Sequence, residues 1–242
     1  MSGHSKWKNI MHKKEKTDAQ RASVFTRIGK EISIAVREGG PDPASNSKLR
    51  DLIQKAKANN VPNDNIDRVI KKAAGGDGEQ YEVVIYEGYG AGGVAVIVET
   101  TTDNRNRTAA DIRHYFDKCG GNMGTTGCVS FMFADKGVIV VDAKSVSDED
   151  KFMEDALECG AVDFIGEDGV FEVFTDVYEL SAVRDALEGK GYVFLSAEVE
   201  KIPSTYVRLE DEEMKIKMQK LLDLLEDNDD VQNVWHNWED DE

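Results

Sequence analysis

The chain has 242 residues, 40% of them hydrophobic and 32% charged, with a formal net charge of −17; this is the balance of a soluble globular protein of two or three domains. No apolar run approaches the roughly 20 residues of a membrane span, and residues 1–16 are polar and basic without the apolar centre of a secretory signal. Three cysteines (Cys119, Cys128 and Cys159) form no Cys-x-x-Cys pair, which argues against a disulfide framework and a structural zinc and for a reducing compartment, the cytoplasm.

Residues 2–16 form a basic arm in which Lys6, Lys8, Lys13, Lys14 and Lys16 surround Trp7. A first helix is predicted from Thr17, where pairing with Gln20 gives a capping-box signature. At 100° per residue, Val24, Phe25, Ile28, Ile32 and Ala35 share one face, and Arg27, Lys30 and Arg37 project from the other. A second helix is predicted from Asp42, with Pro43 in its first turn, burying Leu49, Leu52, Ile53 and Ala56. A third spans 63–74 and buries Ile66, Val69 and Ile70. Short loops make these a three-helix bundle, closed by the run Ala73-Ala74-Gly75-Gly76-Asp77-Gly78.

Charge separates this region from the rest. Residues 1–74 carry 16 Lys+Arg against 8 Asp+Glu, a net of +8, whereas the other 168 carry 14 against 39, a net of −25. Such a split predicts a polyanion-binding module attached to acidic domains. Mobile cations neutralise phosphates, and an aromatic among them can stack on an unpaired base. The candidate nucleic-acid contacts are therefore Lys6, Trp7, Lys8, Lys13, Lys14, Lys16, Arg21, Arg27, Lys30 and Arg37. The competing reading is a solubilising tail with Trp7 docked on the protein's own core. Continuation of basic residues along the bundle favours binding.

After residue 78 the pattern alternates strands and helices. Strands are predicted at 82–86 and 94–101, joined by the Gly-rich stretch Gly88-Tyr89-Gly90-Ala91-Gly92-Gly93. That stretch precedes a strand, whereas phosphate-cradling loops lie between a strand and a helix; it reads as a tight strand connection. The loop 101–108 leads into a helix over 108–119, with Thr108 and Asp111 as its capping box. Arg105 and Arg107 then lie where the helix dipole disfavours cations, so they require an anion, either external phosphate or an internal carboxylate such as Asp103. A strand at 128–133 follows. Next come strand 138–141, helix 148–159, strands 162–166 and 170–175, helix 179–190 and strand 193–199, the βαββαβ order of a ferredoxin-like unit. A helix at 210–226 and a strand at 231–235 would complete the sheet left unfinished at 133.

The predicted class is α+β in three domains. A helical nucleic-acid-binding domain with its arm covers 1–78, a discontinuous middle domain 79–135 plus 204–242, and an inserted ferredoxin-like domain 136–203. The acidic runs 148–150 and 226–230 read as solvated surface, lacking the Gly and alternating ligands of a calcium loop. Four scattered histidines (His4, His12, His114 and His236) form no legible triad, and His114 is placed at the surface. The sequence thus predicts a monomeric non-enzyme without cofactor, metal, membrane or small-molecule substrate.

Specific motifs carry a family resemblance over essentially the whole chain. They are Ser2-Gly3-His4-Ser5-Lys6-Trp7 with Asn9-Ile10, then Lys55-Ala56-Lys57 with Asn59-Asn60, Pro62 and Asn65-Ile66. Further on come Tyr86-Glu87-Gly88-Tyr89-Gly90, Gly92-Gly93-Val94-Ala95, Thr102-Asp103-Asn104-Arg105-Asn106-Arg107-Thr108, Arg113 and Gly120-Gly121-Asn122. In these the chain resembles the YebC/PmpR family, departing only at Met11, Lys14-Glu15, Met123 and Cys128. The resemblance implies a helical N-terminal domain followed by two α+β domains. It also implies one of two roles: a DNA-binding transcriptional regulator, or a ribosome-associated translational activator that binds ribosomal RNA.

Overall fold

The computed structural model describes residues 18–76, 79–167 and 169–239. They pack as two compact units, one built from 18–131 with 206–239 and the other from 132–205. The class is α+β, as the sequence patterns imply.

The first unit begins with helix α1 (Asp18–Gly39), α2 (Ser47–Ala58) and α3 (Asn63–Ala74). Ile28, Ile32, Ala35 and Val36 of α1 meet Leu49 and Ala56 of α2 and Ile66 and Ala73 of α3 in one apolar cluster. Helix α2 starts later than the sequence pattern suggests. Residues 42–46 form a turn instead, in which the Ala44 and Asn46 amides bond to Asp42. Asn46 is the true cap: its side chain accepts from the Leu49 amide and donates to the Ala35 and Gly40 carbonyls. A buried side-chain amide with three partners outcompetes Pro43 as a start signal. Helix α3 coincides with its expected span, and beyond it Gly76 takes the left-handed conformation (φ 77°).

The same unit continues with β1 (Glu82–Tyr89), β2 (Ala95–Thr102), α4 (Arg105–Lys118) and β3 (Asn122–Met123). It is completed after the other unit by β8 (Val207–Arg208), α7 (Glu212–Glu226), β9 (Val231–His236) and β10 (Trp238–Glu239). Its sheet runs β3-β1-β2-β9, with every neighbouring pair antiparallel. Val84, Tyr86, Val96 and Val98 face Ile112 and Phe116 of α4 and Met218, Leu221, Leu222 and Leu225 of α7.

No strand forms at 128–132, contrary to expectation. The buried carboxylate of Glu87 on β1 accepts the amides of Gly127, Val129 and Ser130 at 2.8–2.9 Å. Those donors are consumed by a side chain, so they cannot enter a ladder. Burial alone would raise the pKa of Glu87, but the three amides outweigh it and hold it below its ordinary value.

The second unit contains β4 (Phe133–Asp142), α5 (Glu149–Glu158), β5 (Asp163–Glu167), β6 (Val170–Thr175), α6 (Leu180–Gly189) and β7 (Ser196–Pro203). Its sheet order β5-β6-β4-β7, all antiparallel, is that of a ferredoxin-like fold. Phe152 of α5 and Val183 and Leu187 of α6 pack on Ile139, Val141 and Val173.

Candidate nucleic-acid interface

The arm residues Lys6, Trp7, Lys8, Lys13, Lys14 and Lys16 lie outside the described residues, as does the Arg21 side chain. Of the remaining candidates, most turn out to be held by the protein itself.

Lys30 is the plainest correction. The helical wheel of α1 places it opposite the apolar face, yet it is buried (8% exposed). Its ammonium donates to Asp230 Oδ1 at 2.5 Å, to the Asp229 carbonyl at 2.9 Å and to the Thr101 carbonyl at 3.3 Å. The ring of Tyr81 lies 5.7 Å away. Helix α1 is covered on two sides, by α2 and α3 on one and by the middle sheet on the other. Its second face is therefore polar and buried, a case that apolar periodicity cannot register. Arg27 and Arg37 follow the same logic. Arg27 is half-buried and donates to the Glu226 carbonyl at the end of α7, where a cation is favoured by the helix dipole. Burial pulls its pKa below the ordinary arginine value, although Asp229, Glu226 and Asp227 oppose the shift. Arg37 is exposed but donates to the Glu79 carbonyl.

The acidic run 226–230 is thus more than solvated surface. Asp230 accepts from Lys30, from Arg107 (2.8 Å) and from the Thr108 hydroxyl (2.8 Å), with the Thr102 hydroxyl at 3.4 Å. Burial by itself would raise its pKa, but the hydrogen bonds from Arg107, Lys30 and Thr108 bring it down to about 2.

Arg105 and Arg107 occupy the first turn of α4 and not a loop before it. The helix is capped by Asn104, whose side chain accepts from the Arg107 amide, and Thr108 is inside, bonded to Thr102. Arg107 finds its anion within the chain: it bridges Asp103 and Asp230, each at 2.8 Å. These bonds, to Asp230 first, raise its pKa. Arg105 is exposed and has no ion pair among the described residues. The geometry therefore divides two neighbouring arginines into an internal clamp and a surface cation.

Five exposed cations on α2 and α3 also lack an ion pair among the described residues: Arg50 and Lys57 on α2, and Arg68, Lys71 and Lys72 on α3, Arg68 donating only to the neutral Asn65 side chain. None was singled out from sequence, where they look no different from Lys48, which pairs with Glu38, or Lys55, which pairs with Glu31. The distinguishing signal is spatial.

The glycine motifs are closed by neighbours at Gly88, Gly92 and Gly121, whereas a Cβ at Gly93 would meet nothing within 4 Å. Modest room for a phosphate backbone would require open glycines, but a Cβ on Gly88 would lie 2.6 Å from the Asn122 carbonyl, and one on Gly121 2.5 Å from that of Tyr89. Gly92 (φ 67°) faces Leu209. These positions let β1, β3 and the 91–93 turn approach closely.

No group of three or more His, Cys, Asp or Glu side chains among the described residues could hold a metal ion, and His114 is exposed. No described helix is long and apolar enough to cross a membrane.

Fold and surface define a three-part α+β protein whose helical end presents unpaired cations and whose remainder is acidic. Comparison with known proteins gives the family. Residues 5–76 match the N-terminal domain of the TACO1/YebC protein, and residues 81–238 match the TACO1/YebC second and third domain. The chain belongs to the TACO1/YebC family. A relative from Acetivibrio thermocellus is 60% identical over 98% of this chain and 99% of its own, and one from Caldicellulosiruptor bescii is 58% identical over the full length of both. Each is named a "probable transcriptional regulatory protein". The crystal structure of a conserved hypothetical protein from Aquifex aeolicus superposes with a TM-score of 0.89 at 48% identity, over 97% of each chain.

Proposed function

We propose that this chain is a non-enzymatic, nucleic-acid-binding regulator of gene expression, acting on DNA as a transcriptional regulator. The observation that carries the reading is the set of exposed cations without an ion pair among the described residues, Arg50, Lys57, Arg68, Lys71 and Lys72, beside Lys30, Lys48 and Lys55, which pair with carboxylates. Exposed cations without partners are available to phosphates, and phosphate contacts supply most sequence-independent affinity. The names of the relatives from A. thermocellus and C. bescii support the regulatory role. The arm residues Lys6, Trp7, Lys8, Lys13, Lys14 and Lys16 would extend the contact, and the acidic remainder would limit indiscriminate coating of nucleic acid.

A ribosome-associated translation factor is the second reading, and one feature favours it. The two helices α2 and α3 are joined by four residues, Asn59 to Pro62, a length found in helix-turn-helix motifs. A recognition helix, however, contacts base edges through its N-terminal residues, and α3 exposes Asp64 and Asp67 there. Carboxylates at that end oppose entry between two phosphate strands but tolerate an irregular RNA surface.

The deciding experiment is a duplex-DNA titration over a salt series beside sedimentation with ribosomes. Sequence-dependent duplex binding without ribosome association supports the transcriptional role. Ribosome binding lost on charge reversal of Lys6, Lys8, Lys13 and Lys14 supports the translational one. Absence of both at low salt would remove the nucleic-acid reading altogether.

A further inference from the structure

A cavity of about 290 Å³ opens on the bundle between α1, α3 and the segment leading into β1. Its floor is apolar, formed by Ile28, Ile32, Ile66 and Val69. Two aromatic rings, Phe25 and Tyr81, stand in its walls, and both are half-buried. Arg68 and Lys72, one turn apart on α3, stand in its lining with their side chains exposed. Lys72 has no ion pair among the described residues, whereas Arg68 donates to the Asn65 side chain. Lys30, already engaged by Asp230, also lines it.

We propose that this cavity receives one unpaired base of a nucleic-acid strand, with the adjoining phosphate on Lys72 and Arg68. The proposal rests on the nucleic-acid reading above and names the element recognised. A planar, weakly polar group suits rings and branched aliphatics, since base–aromatic stacking is tolerant of sequence and needs no matched hydrogen bonds. Lys72 and Arg68 outnumber the one carboxylate in the lining, Glu79, which accepts from the Tyr81 hydroxyl, and so favour an occupant that carries negative charge beside its apolar part. The volume lies just below the range of about 300–1,000 Å³ for pockets that enclose drug-sized ligands, so it suits one base rather than a stack. A base in a duplex is not available to such a recess without extrusion; the site therefore favours single strands.

Gly29 gives a direct test. It lines the cavity in ordinary helical geometry, and a Cβ there meets only Val69 Cγ2, at 3.8 Å. Gly29→Leu should fill the recess without disturbing the backbone. Full-length protein would be titrated with a labelled polyadenylate strand and with an abasic strand of equal length and phosphate number. The wild type should bind the base-bearing strand about ten-fold more tightly. Gly29→Leu should reduce that affinity to the abasic level and leave abasic binding and melting temperature unchanged. If Gly29→Leu does not fold, Tyr81→Leu, which removes one stacking ring, should give a smaller loss of the same kind. Equal affinity of the two strands for wild type, undiminished binding by a folded variant, or equal competition by duplex would each overturn the proposal. Retained binding of the abasic strand shows that the wider nucleic-acid reading survives; loss of binding to every strand at low salt would overturn both.

Discussion

Lys30 on the first helix and Asp230 just before β9 form a buried ion pair at 2.5 Å, 200 residues apart in sequence. Both side chains are about one-tenth exposed. The pair joins the start of the chain to its end and fixes α1 against the sheet edge, and the two partners are not equally replaceable. Asp230→Asn leaves the Lys30 ammonium buried with only carbonyl partners. Lys30→Met leaves Asp230 with Arg107 and Thr108. Breaking a buried pair from one side costs about 3–5 kcal/mol. Asp230→Asn should fall in that range by urea denaturation, and Lys30→Met should cost clearly less. Equal losses would mean that the Arg107 side of the cluster contributes nothing.

The same carboxylate predicts an acid limb of stability. Its pKa is about 2 in the folded chain against an ordinary 3.8, so the folded state binds this proton less readily than the unfolded state. The stabilisation is complete above about pH 4 and is lost as pH falls towards 2. Wild type should lose stability across that window, and Asp230→Asn should lose less over the same interval, because it has already forfeited this contribution. Glu87, also held below its ordinary range, contributes in the same direction in both proteins. Parallel acid melts of the two would contradict the assignment to Asp230.

Glu87 organises 127–130 with three amide bonds to one side chain. Glu87→Gln keeps one acceptor oxygen and introduces donors facing donors. A loss of about 1–3 kcal/mol is expected from unsatisfied buried amides. Hydrogen exchange should locate it: the Gly127, Val129 and Ser130 amides should lose protection well before those of α7. Uniform loss across the unit would assign Glu87 a global role instead.

How far the fold could be read in advance depended on what kind of burial each element has. Helix α3, with one apolar face, was legible because a single periodicity describes it, and β6, buried throughout, because its run of branched and aromatic residues fits a strand covered on both faces. Helix α1 was half legible: its apolar face was readable, but the side carrying Arg27 and Lys30 is buried by polar partners. The −25 charge of the remaining chain contained the clue, since acids at 226–230 were available to those cations. Segment 128–132 failed for a different reason. Its hydrophobic residues read as a strand, and only Glu87, distant in sequence, diverts the amides. At the candidate interface the paired and unpaired cations differ in surroundings alone: Lys55 meets Glu31 across the bundle and Lys57, two residues on, faces away from it.

The glycines separate close packing from local flexibility. A Cβ at Gly88 meets Asn122 O at 2.6 Å and Phe116 Cε1 at 2.9 Å, whereas one at Gly189, in the last turn of α6, meets nothing within 4 Å. Gly88→Ala must move backbone or the buried Phe116 ring, and should destabilise by about 1–3 kcal/mol. Gly189→Ala should be neutral or gain up to about 1 kcal/mol from helix propensity. Thermal melts should show a lowered midpoint for Gly88→Ala and an unchanged or raised one for Gly189→Ala. A stable Gly88→Ala would show that β1 and β3 can separate without penalty.

Internal and free cations should differ in how salt affects binding. Each phosphate contact neutralised by a lysine or arginine adds about 0.9 to the slope of log affinity against log salt on B-DNA. Removing Lys57 or Lys71, exposed and without an ion pair among the described residues, should lower that slope by about 1 per residue. Surface changes of this kind leave stability within about 0.5 kcal/mol. Lys30→Met should do the opposite, lowering stability while the slope stays constant, because its charge is already matched by Asp230. Anisotropy titrations at several salt concentrations, paired with melts of the same samples, read both quantities. If Lys30→Met flattened the slope and Lys57→Ala and Lys71→Ala did not, the binding face would lie on the other side of α1, and the ion pair with Asp230 would have to open on binding.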